Sequence, residues 1–150
     1  MEFELLLFSK KTQKDYAYYL MQILEKLNIH FKSIEDQDSI NLCLDCMTIS
    51  VDLEEEVGLE VIEDDFNFVA DTSARIQVFS QFRDYALEIL FKTINEIIKN
   101  TDYNLLLIGN GSNLILERKN NNYYTSYLDD YYYFKIPFDI LGVKIEELKR

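Results

Sequence analysis

The segment from Tyr103 to Lys119 constrains the fold more than any other. Tyr103 to Ile108 is an almost unbroken apolar run, the pattern of a strand buried on both faces. Asn110-Gly111 follows it. That pair readily accepts the two positive φ angles of a tight type I′ hairpin turn. Asn113 to Lys119 is then the returning strand. Asn120 to Asn122 offers a further turn, Tyr123 to Tyr127 a third strand and Tyr131 to Ile136 a fourth. The tail from Phe138 to Arg150 reads as a short helix.

Upstream, two stretches carry helical periodicity. In Gln13 to Asn28, the residues Tyr16, Tyr19, Leu20, Ile23, Leu24 and Leu27 recur at spacings of three and four and form one apolar stripe. Thr12 is its expected N-cap, with Asp15 three residues on in a capping-box-like arrangement. In Phe82 to Asn100 the stripe is Phe82, Tyr85, Ala86, Ile89, Leu90, Ile94, Ile97 and Ile98. Phe3 to Phe8 reads as an early buried strand, and Arg75 to Phe79 as another. Between them, Ile40 to Leu53 is extended but changes phase. Ile40, Leu42 and Leu44 share one parity, while Met47, Ile49, Val51 and Leu53 share the other. A strand has period two, so the slip predicts a bulge or turn near Asp45–Cys46. Gly58 breaks the next run, and Leu59, Val61 and their neighbours are expected as a return strand. The sum is a single α+β domain over residues 1–150. Its two main helices are expected on one face of a mostly antiparallel sheet that ends in a β-meander.

Charge narrows the function. The chain has 27 acidic and 15 basic residues, a net of −12. That is the opposite of what a phosphate backbone demands, which argues against a nucleic-acid partner. With 11 Tyr and 10 Phe the chain has ample core material and is not of the disordered class. It has no apolar run of membrane-spanning length. Its start, MEFELLLFSKK, has the wrong charge order for a signal peptide. The expectation is a cytoplasmic protein with no membrane partner. The acidic excess is concentrated in residues 52–65, where Asp52, Glu54, Glu55, Glu56, Glu60, Glu63, Asp64 and Asp65 stand with no basic residue. Like charges this dense repel one another. The stretch reads either as a solvated surface or as a docking face for a basic partner. A calcium loop needs oxygen ligands at alternate positions with a glycine at the sixth, and residues 52–63 do not match that pattern, since Val57 stands sixth and Gly58 seventh.

Catalytic chemistry finds little support. Cys43-Leu-Asp-Cys46 is a CxxC, but no helix follows it to lower a thiol pKa, and one histidine cannot complete a zinc set. Structural cysteines are the simpler reading. His30, the single histidine, falls just after the first helix, where a cation meets the helix dipole favourably. No nucleophile elbow or zinc-protease motif accompanies it. Gly109-Asn110-Gly111 lacks the third glycine of a dinucleotide loop and is explained by the hairpin. No catalytic, cofactor-binding or metal-binding residue is therefore assigned. Six of the 11 tyrosines (Tyr123, Tyr124, Tyr127, Tyr131, Tyr132 and Tyr133) crowd into residues 123–133. Such residues suit both a protein interface and a sheet that favours aromatics. Consecutive tyrosines in a strand cannot all face one core.

The order of the second half carries a family resemblance. Arg75-Ile-Gln-Val-Phe leads into an amphipathic helix ending Ile-Ile-Lys-Asn. Tyr103-Asn-Leu-Leu-Leu-Ile-Gly, Asn110-Gly-Ser-Asn and Leu114-Ile-Leu-Glu-Arg-Lys then follow, with Tyr123-Tyr124 after a turn. Over about residues 66–136 this resembles the swarming-inhibition-type immunity proteins of bacterial toxin–immunity pairs. Asp102 corresponds to the family's aspartate before the hydrophobic strand, and one of Tyr131 to Phe134 to its late aromatic. The resemblance implies a small protein that binds and neutralises a cognate protein toxin. Toxins that attack nucleic acid are basic, so an acidic inhibitor gains complementarity and a faster on-rate. The expected partner-binding residues are Glu54, Glu55, Glu56, Glu60, Glu63, Asp64, Asp65, Tyr131 and Tyr132. The alternative is a non-enzymatic interaction or scaffold module, homo-oligomeric in one version.

Overall fold

The computed structural model describes residues 1–54, 58–127 and 134–148. Nine strands form one sheet: β1 (Glu2–Phe8), β2 (Lys32–Glu35), β3 (Ser39–Cys43), β4 (Met47–Asp52), β5 (Thr72–Val78), β6 (Asn104–Gly109), β7 (Asn113–Lys119), β8 (Asn122–Thr125) and β9 (Ile145–Glu147). The helices are α1 (Gln13–Lys26), α2 (Leu59–Phe66) and α3 (Arg83–Asn100). The spatial order of the strands is β2-β3-β4-β5-β1-β6-β7-β8-β9. Every pairing is antiparallel except β8 with β9. The architecture is α+β on a mostly antiparallel sheet. Among the described residues, no helix is long and apolar enough to cross a membrane.

Strand β1 lies in the middle, paired with β5 on one side and β6 on the other. Alternation along it feeds two cores. Phe3, Leu5 and Leu7 join the larger cluster, with Tyr16, Leu20 and Leu24 of α1 and Ile89, Leu90, Ile94 and Ile97 of α3. Leu6 joins a smaller cluster with Leu106, Ile108 and Leu114, capped by Ile62 of α2 and by Phe68. The Tyr16 hydroxyl, fully buried, donates to the Leu5 carbonyl at 3.0 Å and so ties α1 to the strand beneath it. At the far end of α1, Lys26 meets Glu96 of α3 at 3.0 Å. That ion pair and the nearby Lys99 hold the Glu96 carboxyl below the ordinary range.

Local chemistry accounts for the boundaries. The Thr12 hydroxyl accepts from the Asp15 N–H and caps α1. The phase slip is a turn: Leu44 to Cys46 separate β3 from β4, and the Leu44 N–H donates to the Met47 carbonyl. Asn110 and Gly111 take φ of 48° and 83°, and Asn120 and Asn121 take 53° and 64°, as two tight hairpin turns require. The β6–β7 register shifts between Leu107 and Ile108. One extra residue in β7 puts both Ile115 and Leu116 into the larger core.

Three expectations are corrected. The stretch beginning at Leu59 is a helix, not a return strand. Leu59, Ile62 and Phe66 recur at helical spacing toward the smaller core, and Gly58 supplies the left-handed entry at φ 82°. Phe138 to Leu141 is a single 3-10 turn, and Ile145 to Glu147 is a strand added in parallel to β8. Of the fourth meander strand, Tyr131 to Tyr133 lie outside the described residues, and Phe134 to Ile136 are not strand. One strand, β2, has no counterpart in the periodicity. All four of its residues are exposed at the sheet edge, so no burial pattern marks it.

Phe68 is 1% exposed, whereas its neighbour Val69 is 55% exposed. Phe68→Ala is expected to cost about 3–5 kcal/mol in urea unfolding. Val69→Ala should stay within about 0.5 kcal/mol. Equal effects would show that the smaller core does not seat α2.

Candidate functional site

The acidic stretch is split by the fold into two neighbouring parts. Asp52 closes β4 and Glu54 follows it, while Glu60, Glu63, Asp64 and Asp65 stand on α2. All six side chains are exposed. Glu55 and Glu56 lie outside the described residues, as do Tyr131 and Tyr132.

Helix α2 has only eight residues. It buries Ile62, half-buries Leu59 and Phe66, and turns Glu60, Val61, Glu63, Asp64 and Asp65 to solvent. Its charges oppose its own stability. Carboxylates favour a helix N-terminus, yet Glu63, Asp64 and Asp65 crowd the C-terminal half, where no basic residue stands in the last turn. Glu60 and Asp64 also form a like-charged i,i+4 pair. Among the described residues, none of Glu54, Glu60, Glu63, Asp64 or Asp65 enters an ion pair.

A shallow cleft of about 120 Å³ opens between the two parts, lined by Glu4, Ser50, Asp52, Glu54, Ser73 and Arg75 among others. Arg75 Nη2 bonds Asp52 Oδ1 at 3.1 Å, with both side chains more than half exposed. Such a pair contributes about 0–1 kcal/mol. Burial pushes the Glu4 carboxyl above its ordinary value, against the pull of the Ser73 hydroxyl and Arg75. The floor is held by Gln13. Its Nε2 donates to the carbonyls of Asp52 and Ser73 at 2.9 and 3.0 Å, and its Oε1 accepts from the Ser73 N–H at 2.8 Å. This amide joins β4 to β5 beyond Ser50↔Arg75, the last matched pair of their ladder.

A second cleft, of about 380 Å³, lies between the start of α1 and α2, with Lys10 and Lys11 facing Glu60 and Glu63. Its lining also carries Asp71, whose charge the chain itself holds. The Asp71 carboxylate accepts the N–H groups of Ser9 and Lys10 at 2.9 and 2.6 Å, where Lys10 takes φ 58°.

The remaining candidates separate. Cys43 is half-buried on β3, while Cys46 is buried in the larger core, where burial pushes its thiol up, away from a reactive thiolate. The two belong to different environments. His30 is exposed between α1 and β2. Tyr123 packs on the larger core beneath the Arg118 guanidinium, 5.7 Å from its ring centre. The Tyr127 hydroxyl donates to Asn113 Oδ1 at 2.9 Å. These two tyrosines hold the sheet together. Among the described residues no group of three or more His, Cys, Asp or Glu could hold a metal ion.

The sequence reading missed Gln13, Arg75 and the polar row beside them. The signal was present in the alternation of Ser39–Cys43, Met47–Asp52 and Thr72–Val78, whose odd-man polar residues only a strand order could bring together. No family model, curated protein or solved structure matches the chain.

Because desolvation raises the Glu4 pKa in the folded state, its ionisation works against folding. Stability from this group is present at low pH and is lost as pH rises through the folded value. Glu4→Gln should therefore melt higher than the parent at pH 7, and the gap should close as pH falls below the ordinary 4.5. A gap that does not depend on pH would assign the effect to packing.

Proposed function

We propose that this chain is an immunity protein. In this reading it is a non-enzymatic, cytoplasmic inhibitor that binds and neutralises a cognate bacterial toxin, a basic, nuclease-like effector. The two long helices, α1 and α3, pack together on one face of the sheet and stiffen it, leaving the surface around α2 to the partner. The observation that carries the reading is α2 itself. A two-turn helix bearing four exposed carboxylates that enter no ion pair among the described residues, three of them set against its own dipole, is built at a cost to folding. A basic partner would offset that cost. Glu54 extends the same surface, and Glu55, Glu56, Tyr131 and Tyr132 belong to the proposed contact set. The resemblance of residues 66–136 to swarming-inhibition-type immunity proteins supports the same conclusion.

The test uses the protein as bait for the product of the adjacent gene in an inactivated form. Co-elution that fades as salt rises is expected, since exposed charges are screened within about 8 Å at physiological ionic strength. Lys in place of Glu60, Glu63 and Asp64 should slow association on the order of tenfold or more at low salt. The melting temperature should hold or rise, because charge reversal at Glu63 and Asp64 suits the helix dipole and offsets the loss at Glu60 in the first turn. Unchanged association would remove α2 from the interface. No co-elution at low salt would overturn the inhibitor reading.

A further inference from the structure

The sheet register assembles a surface that no single strand reveals. Ile34, Asn41, Ser50, Arg75 and Glu4 are successive cross-strand partners over β2, β3, β4, β5 and β1. Lys32, Cys43, Thr48, Gln77 and Glu2 form the adjoining row. None of these ten residues is buried. Their alternating neighbours Ile40, Leu42, Ile49, Val51, Ile76 and Val78 all point into the larger core. The first row continues from Glu4 to Ile108 and Leu114, and there its character changes, because those two are covered by the α2 cluster. Among the described residues, the sheet thus has a face that α2 covers over β6 and β7 and leaves bare over β2, β3, β4, β5 and part of β1.

We infer that this bare face is the docking platform for a basic segment of the protein partner, with α2 as its acidic wall. This rests on the inhibitor reading and names the surface it uses. Four strand spacings make the platform roughly 19 Å wide, enough to seat a helix about 10–12 Å across. Its centre is made of short side chains, Asn41, Cys43, Thr48 and Ser50, all half-buried. A sheet face meant only for water is ordinarily screened by long charged side chains. Short ones leave the surface flat and lose little rotamer entropy when covered. Ile34, 50% exposed, adds an apolar contact at the edge. Acidic side chains outside the two rows gather at one border. Asp36 and Asp38 of the β2–β3 turn, Asp52 and Glu54 sit at the same end of the strands, since Ser39 pairs Asp52 and the Leu53 N–H donates to the Asp38 carbonyl. Helix α2 continues that border. Lys and Arg side chains of the partner would meet it while the neutral centre takes the backbone and apolar contacts.

Two measurements test the platform. Asn41→Lys and Ser50→Arg place bulky cations at its centre, on the face turned away from the larger core, and Gln22→Arg on the exposed side of α1 is the control. With folding checked by melting temperature, the platform variants should bind the inactivated toxin at least tenfold more weakly, and the control should match the parent. Platform variants that bind like the parent overturn the inference and leave the inhibitor reading standing. The second measurement titrates a ten-residue lysine peptide into the ¹⁵N-labelled parent protein. Amide shifts at Asn41, Thr48, Ser50 and Gln77 that disappear at high salt support the platform even where no toxin binds, in which case only the inhibitor reading falls. Shifts confined to α2, or scattered over α1 and α3, overturn it.

Discussion

Everything in this molecule hangs on three consecutive leucines. Leu5, Leu6 and Leu7 are each at most 1% exposed, because β1 has a core on either side and a strand on either edge. Fully burying one such side chain stabilises the fold by about 1.5–3 kcal/mol. Leu5 and Leu7 anchor α1 and α3, while Leu6 anchors α2. The acidic helix is therefore fixed to the sheet by the same strand that carries Glu4 to the edge of the bare face. Moving β1 by one residue would exchange the two cores and turn Glu4 inward.

The distribution of charge fits this division. On α3 two carboxylates are tied down: Glu96 is held by Lys26 and Lys99, and Glu88 by Lys92. On α2 none enters an ion pair among the described residues. Within one chain the same residue types serve in one place to join helices and in another to shape an outward field, and the presence or absence of a partner cation separates the two uses.

Much of the scaffold was legible in the amino-acid sequence, and for physical reasons. Periodic burial announced α1 and α3. The Asn110-Gly111 pair announced the hairpin, and the parity change between Leu44 and Met47 announced the β3–β4 turn. What could not be read was what burial does not mark. Strand β2 is exposed at every position. Helix α2 is so short that Leu59 and Val61 imitated a strand, and β9 is three residues that pair in parallel with a strand distant in sequence. The acidic residues were identified, and α2 gives four of them a common support. The platform beside them was invisible, because its residues come from five strands and only the strand order makes them neighbours.

The central place of β1 also sets a timetable. Leu5 pairs with Ala74 on one side and Leu107 on the other, so β1 must wait for β6, far later in the chain, before both its edges are closed. Contacts this distant in sequence slow folding, because loop-closure entropy is lost before they form. The hairpins β2–β3 and β3–β4 are local and can form early. The bare face would then be partly built while the strand that joins it to α2 is still unpaired at one edge, leaving the leucines of β1 exposed to aggregation until β6 emerges.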